Sequence, residues 1–480
     1  MKTKRELRYQ LLKKIYGYSD FRPGQEETIA QLQNGQNTLA ILPTGTGKTL
    51  IYVLTAYLLK RRCLIISPLL SLMQDQVSRL NQLGETKAVA LNSSVKFSDR
   101  QQILKYLSKY RFIFASPEIL MNGDVIKKLQ QCCINFLVID EAHCISTWGP
   151  DFRPAYLNLN KVRKKLHNPL TLALTATANE QVIHDIQKQL LLDDLQVIKY
   201  SINRPNIFLN VEKLNNQADK AKRLEQLVCQ IIKPGIIYFS SKKQADEWAF
   251  RLTELGFSAA SYHGDIDFNN RQIIQQSFMQ GKIDIICATS AFGMGIDKND
   301  VRFVIHYHMP NNFIDYIQEI GRAGRDGKQA IATVLLTDDD YKVPLNLLKK
   351  QFPSDGFIER LSKEHSLKPQ SDLEELLQYY FAENYSVDEI KNIFKQRWQS
   401  QKHALDDFNN FLFSKNCLRN GLLTEFHEQT IKHNDYCCAN LTESINLKKL
   451  GLINSEDSEN NCKVVVNSWK SQLDKLFNIN

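Results

Sequence analysis

The run Thr44-Gly45-Thr46-Gly47-Lys48-Thr49 lies between an apolar stretch, Thr38-Leu39-Ala40-Ile41-Leu42, and an apolar helical segment, Leu50 to Lys60. A strand that turns through two glycines into a helix commits the surrounding chain to a parallel sheet, because the helix must carry the chain back before the next strand can start. The same turn makes an anion cradle. Gly45 and Gly47 let backbone amides close around phosphate oxygens, Lys48 supplies a point charge to the outer phosphates, and the Thr49 hydroxyl is placed to hold Mg2+. Leu42 stands where the generic motif has its first glycine, so the pattern is incomplete, but strand, loop and helix follow in the required order.

Apolar runs of the same kind recur at Cys63 to Ser67, Arg111 to Ala115, Phe136 to Asp140 and Leu170 to Leu174, as expected of strands covered on both faces. The pattern breaks at Asn203-Arg204-Pro205-Asn206. It restarts with Gly235 to Phe239, Ser258 to Tyr262, Ile283 to Cys287, Val301 to Ile305 and Ala330 to Leu336. Past Asp338-Asp339-Asp340 the strand runs stop, and Tyr341 to His427 shows Leu, Phe and Tyr at helical spacing. The expected fold is α/β: tandem parallel-sheet lobes over residues 1–204 and 205–340, a mainly helical accessory region over 341–441, and a short tail, 442–480, with one strand-like run at Val464-Val465-Val466. No repeat shows at the scale of solenoid units.

Across 480 residues, 43% hydrophobic and 24% charged is ordinary globular composition, and a net charge of +9 suggests a polyanionic partner without requiring one. The ten cysteines lie mostly singly in apolar runs, such as Cys287 in Ile285-Ile286-Cys287-Ala288, which suits reduced thiols and a cytoplasmic location. The charged start Met1-Lys2-Thr3-Lys4-Arg5-Glu6 leads into no signal segment, and the longest apolar stretch, Leu50 to Leu59, is too short to cross a bilayer.

Asp140 and Glu141 end the run Leu137-Val138-Ile139, which puts both acids on the same sheet edge as the phosphate loop. Asp140 would help hold hydrated Mg2+, Glu141 would orient and deprotonate a water, and His143 could couple this site to its neighbour. An isolated Asp-Glu is usually a helix cap, but the strand before it and the upstream loop favour the catalytic reading. Gln318, Arg322 and Arg325, spaced along one helical face, could aim at a phosphate chain, and Gly321 and Gly324 argue for close packing rather than a solvated basic helix. Tyr18, Arg22 and Gln25 could stack on and pair with a base, although a surface turn explains them equally well. In Trp148-Gly149-Pro150-Asp151-Phe152-Arg153-Pro154, the aromatics suit either stacking on single-stranded bases or plugging a core.

Taken together, Phe21 to Gln25, Pro43 to Thr49, Ser67 to Gln76, Asp140-Glu141-Ala142-His143, Trp148 to Pro154, Leu174 to Ala178, Ala288 to Lys298 and Gln318 to Gly327 resemble the RecQ family of superfamily 2 DNA helicases, over about residues 10–340. The resemblance implies two RecA-like lobes and an ATP- and Mg2+-dependent enzyme. That enzyme would translocate 3′-to-5′ on single-stranded DNA and unwind duplex or branched DNA, in repair or recombination. It implies that Tyr18, Arg22 and Gln25 recognise adenine and that Gly295 and Asp297 also face the nucleotide. It implies that Thr175 and Thr177 link hydrolysis to movement, and that Arg325 is the main arginine finger with Arg322 beside it. Ser67, Pro68 and Thr289 would follow the DNA backbone, and Trp148, Phe152 and Arg153 would meet its bases.

This family usually carries a four-cysteine zinc module after the motor, then a winged helix. Cys417 matches the first cysteine, but the later cluster is reduced to the adjacent pair Cys437-Cys438. Neighbouring cysteines rarely both ligate one tetrahedral zinc, so the expectation is a degenerate module without zinc, with His427 or His433 as possible substitutes. Some forty residues follow Leu441, too few for a winged helix and another domain, so the usual strand-splitting element is expected to be absent or rebuilt. An RNA remodeller of the DEAD-box kind is the competing enzyme, disfavoured by the fourth residue of Asp140-Glu141-Ala142-His143 and by the aromatic loop. A DNA-binding scaffold with a dead motor is disfavoured because every expected catalytic residue is present.

Overall fold

A computed structural model describes residues 3–68, 70–92, 95, 97–146, 154–293, 298–363, 371–441 and 443–453. The chain divides into two units. One comprises Met1–Ile202, Leu347–Asp406 and Glu425–Gln429; the other comprises Asn203–Asn346, Asp407–Thr424 and the chain from Thr430.

The first unit is built on β1 (Thr38–Ile41), β2 (Cys63–Ile66), β3 (Ala88–Leu91), β4 (Phe112–Ala115), β5 (Phe136–Ile139), β6 (Leu170–Thr175) and β7 (Gln196–Lys199). These pair in parallel in the order β3-β4-β2-β5-β6-β1-β7. Two apolar clusters cover the two faces, with Leu39, Ile41, Leu64 and Ile139 on one and Ala40, Cys63, Ile65 and Val138 on the other. Double burial is why these runs read as apolar throughout. β7, at the edge, is mostly exposed and carries Gln196 and Lys199.

The second sheet comprises β8 (Ile207–Lys213), β9 (Gly235–Tyr238), β10 (Ala259–Tyr262), β11 (Ile285–Ala288), β12 (Phe303–His306), β13 (Ala330–Leu336) and β14 (Cys438–Ala439), all parallel, in the order β10-β11-β9-β12-β13-β8-β14. That order repeats the first sheet strand for strand. The seventh place is taken by two residues that return after a long helical excursion and pair with Leu209 and Asn210. Leu447, Leu450 and Leu452 pack into the same core, against Leu227, Val228 and Trp248.

The excursion runs through helices Lys342–Lys350, Asp355–Lys363, Asp372–Ala382, Val387–Leu412 and Leu418–Glu425. Ile358, Leu361, Leu377, Tyr380, Ile390 and Phe394 form its own core within the first unit. The expected α/β class, with two parallel sheets and a helical region, is borne out. β3, β7, β8 and β14 are additional to the expected strands, and Val464-Val465-Val466 lies outside the described residues. No described helix is long and apolar enough to cross a membrane.

Candidate nucleotide and nucleic-acid sites

In the first unit β2, β5, β6 and β1 are successive parallel neighbours, so their carboxyl ends share one edge. That edge carries Ser67-Pro68 after β2, Asp140-Glu141 after β5, Thr175 to Thr177 at the end of β6, and the loop Pro43 to Gly47 after β1. Helix Lys48–Leu58 starts directly from this loop, and Gly45 and Gly47 take left-handed φ of 82° and 75° that a side chain would resist. The phosphate loop is held from behind. Gln25, buried at 2% exposure, donates from Nε2 to the Thr46 carbonyl at 2.6 Å and accepts from the Arg22 amide at 2.9 Å. The Arg22 guanidinium donates to the Gly45 carbonyl. Tyr18 is exposed and stacks on Tyr16, with centroids 6.1 Å apart, which leaves one ring face for a base.

The Thr49 hydroxyl donates to Gln76 Oε1 at 3.0 Å, and Gln76 sits on helix Leu70–Gln82, directly after Ser67-Pro68. Burial, and then the charge of Glu141, raises the Asp140 carboxyl to about 7 against the pull of Lys48. A carboxylate so desolvated gains most from a nearby cation. Glu141 has a left-handed φ of 49°, and its Oε2 is 3.4 Å from His143 Nδ1. The same His143 nitrogen is 2.9 Å from the Thr175 hydroxyl, which itself donates to the Thr177 carbonyl at 2.9 Å. His143 therefore hydrogen-bonds the Thr175–Thr177 turn while standing in ion-pair range of Glu141. The buried Ser67 hydroxyl has no protein partner among the described residues. Trp148, Phe152 and Arg153, and Gly295 and Asp297, lie outside the described residues. Tyr156, just beyond the aromatic loop, donates to the Asp140 carbonyl at 3.1 Å.

In the second unit, Thr289 follows β11 and is half-buried. Gln318 lies on helix Phe313–Ile320, and its buried Nε2 has no hydrogen-bond partner among the described residues. Arg322 and Arg325 do not continue that helix, contrary to the single-face expectation. The helix stops at Ile320, and both arginines sit in the turns that follow, which pass through Gly324 at φ 55°. The close packing expected of Gly324 is present: an added Cβ would meet Asn206 Nδ2 at 2.4 Å and the Lys328 carbonyl at 2.8 Å. Arg204 and Asn206 clamp this turn, each donating to the Gly324 carbonyl at 2.7 Å. Arg325 is half-buried and donates from Nε to the Gly321 carbonyl at 3.3 Å.

Sequence reasoning missed Gln76, Tyr156, Arg204 and Asn206. Only Gln76 lay inside a recognisable motif. The others act through backbone carbonyls, which leave no trace in residue spacing.

The thiols of Cys417, Cys437 and Cys438 and a ring nitrogen of His433 lie within 4.8 Å of one another. Cys417 Sγ is 3.6 Å from Cys437 Sγ and 3.5 Å from Cys438 Sγ, and Cys438 Sγ is 3.7 Å from His433 Nδ1. Thiolates about 2.3 Å from a tetrahedral zinc stand about 3.8 Å apart, so the donor set fits that ion. The adjacency of the pair is accommodated locally. Cys437 is the last residue of a turn fixed by Asn434, so strand alternation begins only at Cys438, and both thiols reach one centre. The buried Arg419 braces this turn, donating to the Cys437 carbonyl at 3.1 Å and to Asn203 Oδ1 at 2.9 Å.

The DEAD/DEAH box helicase family matches residues 22–186 and the helicase conserved C-terminal domain matches residues 219–327. The chain is 37% identical over 490 residues to a protein of Bacillus subtilis (strain 168) named "Probable ATP-dependent DNA helicase RecS", covering 98% of both chains. The chain belongs to the RecQ family. The ATP-dependent DNA helicase RecQ of Haemophilus influenzae is 39% identical over 337 residues, which are 69% of this chain and 53% of that protein. Saccharomyces cerevisiae Dbp5 bound to RNA and ADP BeF3 superposes with a TM-score of 0.58 at 20% identity, covering 84% of this chain and 100% of that one, which shows the shared fold of RecA-like lobes. As a RecQ-family member the protein is an ATP-hydrolysing helicase with a nucleic-acid partner.

Proposed function

We propose that the protein uses ATP to move 3′-to-5′ along single-stranded DNA and to unwind duplex or branched DNA, in the cytoplasm, in repair or recombination. The supporting observation is the single sheet edge that gathers the Gln25-braced phosphate loop, Asp140-Glu141 and Ser67. In this reading Tyr18, Arg22 and Gln25 select adenine, and the loop Thr44 to Thr49 cradles the phosphates with Lys48 on the outermost. Thr49 and Asp140 would hold Mg2+, which when bound neutralises phosphate charge. Glu141 takes the proton of the attacking water. Arg325 meets the charge that develops on the transferred group, with Gln318 beside it. His143, in ion-pair range of Glu141 and hydrogen-bonded to Thr175, which in turn bonds Thr177, carries the state of the acids away from the site. Ser67, Pro68, Thr289, Trp148, Phe152 and Arg153 take the DNA strand.

A strand-separation assay with ATP tests this. Opening of a 3′-tailed duplex in preference to a 5′-tailed one is expected, and the reverse would overturn the polarity. ATPase stimulated more by RNA than by single-stranded DNA would overturn the choice of nucleic acid. Deleting the gene should sensitise the host to DNA damage, and unaltered survival would remove the repair role.

We also propose that Cys417, His433, Cys437 and Cys438 hold a structural zinc, on the strength of the fitting donor set. Metal analysis of purified protein should find about one zinc per chain; a zinc-free, fully folded protein would restore the degenerate reading.

A further inference from the structure

The family resemblance sets Arg322 beside Arg325 at the phosphates, and in the structure its guanidinium is engaged by other groups. The residue is only 6% exposed. Its Nε donates to the Tyr238 hydroxyl at 2.7 Å and a terminal nitrogen donates to the Gly293 carbonyl. The Tyr238 hydroxyl donates in turn to the Phe292 carbonyl at 2.9 Å. One guanidinium and one phenol thus pin two consecutive carbonyls of the turn that follows β11. The Tyr238 ring stacks on His306, with centroids 5.4 Å apart and planes 17° off parallel. His306 Nε2 is 2.8 Å from Glu319, on the helix that ends just before the arginine turn. Both ends of the link therefore return to Gly321–Arg325. Gly293 leaves no slack, since an added Cβ would stand 2.0 Å from an Arg322 nitrogen.

We propose that Tyr238 is a positioning residue for ATP hydrolysis. Its hydroxyl holds Arg322 as a strut between the Phe292-Gly293 turn and the Gly321–Arg325 turn, so that Arg322 sets geometry while Arg325 supplies charge. The proposal rests on the reading of Arg325 as the arginine finger. The planar fork of arginine serves two fixed acceptors at once, which the single ammonium of lysine cannot do in the same geometry. Withdrawing the guanidinium toward a phosphate would leave the Tyr238 oxygen and the Gly293 carbonyl without their donor inside the protein.

The test is a double-mutant cycle on DNA-stimulated ATPase with Tyr238→Phe, Arg322→Lys and the pair. Each single change should lower kcat about tenfold, with KM for ATP within about twofold of wild type and the melting temperature nearly unchanged. The double variant should be no slower than Arg322→Lys alone, because one strut is broken once. Gly293→Ala, acting at the far end of the strut, should reproduce the loss. Wild-type kcat in Tyr238→Phe, or losses that multiply in the pair, would overturn the proposal. A melting temperature that falls in step with kcat would also overturn it, by reducing the link to fold maintenance. Arg325→Ala separates the two readings: turnover surviving in that variant removes the finger assignment, whereas the cycle reports on the strut.

Discussion

Lys220 and Asp340 form an ion pair with almost no access to water. Their side chains are 0% and 2% exposed, and the Lys220 ammonium lies 2.7 Å from both carboxylate oxygens. Asp340 also accepts the Thr337 hydroxyl at 2.9 Å, so the pair ties helix Gln217–Gln230 to the turn after β13. The ammonium also lies over the Tyr307 ring, 4.8 Å from its centroid. Burial lowers the pKa of Lys220, and Asp340 is what pulls it back up. Asp340→Ala would strand that ammonium and leave the Thr337 hydroxyl without its acceptor, at a cost of about 3–5 kcal/mol. Lys220→Met strands a carboxylate that keeps its Thr337 bonds, so its cost should fall near the lower end, about 3 kcal/mol. Removing both charges at once strands neither. The double variant should therefore be more stable than the sum of the single losses by about 2 kcal/mol or more. Urea unfolding curves of the three variants, read at the transition that involves the second sheet, supply these numbers. A loss below about 1 kcal/mol for Asp340→Ala, or strict additivity in the double variant, would refute the argument from desolvation.

Lys48→Ala should abolish ATP turnover while leaving single-stranded DNA binding within about threefold, measured by phosphate release and anisotropy; retained turnover would unseat the phosphate loop. Gln25→Ala frees the Thr46 carbonyl and should raise KM for ATP about tenfold, with little change in melting temperature, in a steady-state titration. Burial, then the charge of Lys220, holds His308 near 4 instead of 6.5, and its Nδ1 accepts the Ser240 amide at 3.2 Å. The unfolded chain therefore takes up this proton first. The contribution is whole above pH 6.5 and is lost as pH falls toward 4, at about 1.4 kcal/mol per pH unit. Urea midpoints of wild type and His308→Gln between pH 7 and 4.5 check this, the variant showing the flatter profile. Cys438→Ser should release the zinc, and hydrogen exchange should then rise at Leu209 and Asn210 where β14 pairs; unchanged protection there would uncouple metal from strand.

The parallel sheets were legible because their strands are buried on both faces, so Leu137-Val138-Ile139 or Ile285-Ile286-Cys287 can be read without any partner. β7 was not legible for the opposite reason: at the sheet edge, Gln196 and Lys199 are free to be polar. The phosphate loop and the paired acids were legible because each is contiguous and ends an apolar run. The task of Arg322 was hidden, since it is set by Tyr238 and Gly293, which lie 84 and 29 residues away. The gathering of Cys417, His433, Cys437 and Cys438 was not legible, because it depends on a turn at Cys437 that precedes the two-residue strand.

The repeated strand order explains why that cysteine cluster sits where it does. In the first sheet, β7 arrives beside β1 after a single helix, Glu180–Leu190, and pairs over four residues. In the second sheet the chain leaves after β13, runs through five described helices, and only then lays Cys438–Ala439 against β8. A two-residue strand makes too few ladder bonds to hold itself in place. Without it, the unpaired edge of β8 would be exposed. Three features compensate at that point: Arg419 on the Cys437 carbonyl, the Leu447, Leu450 and Leu452 anchors in the core, and the four-ligand cluster whose thiols flank the pairing residues. With the proposed zinc bound, the cluster and the strand would form one device, in which cross-linking Cys417 to Cys438 substitutes for the strand length that β7 has and β14 lacks.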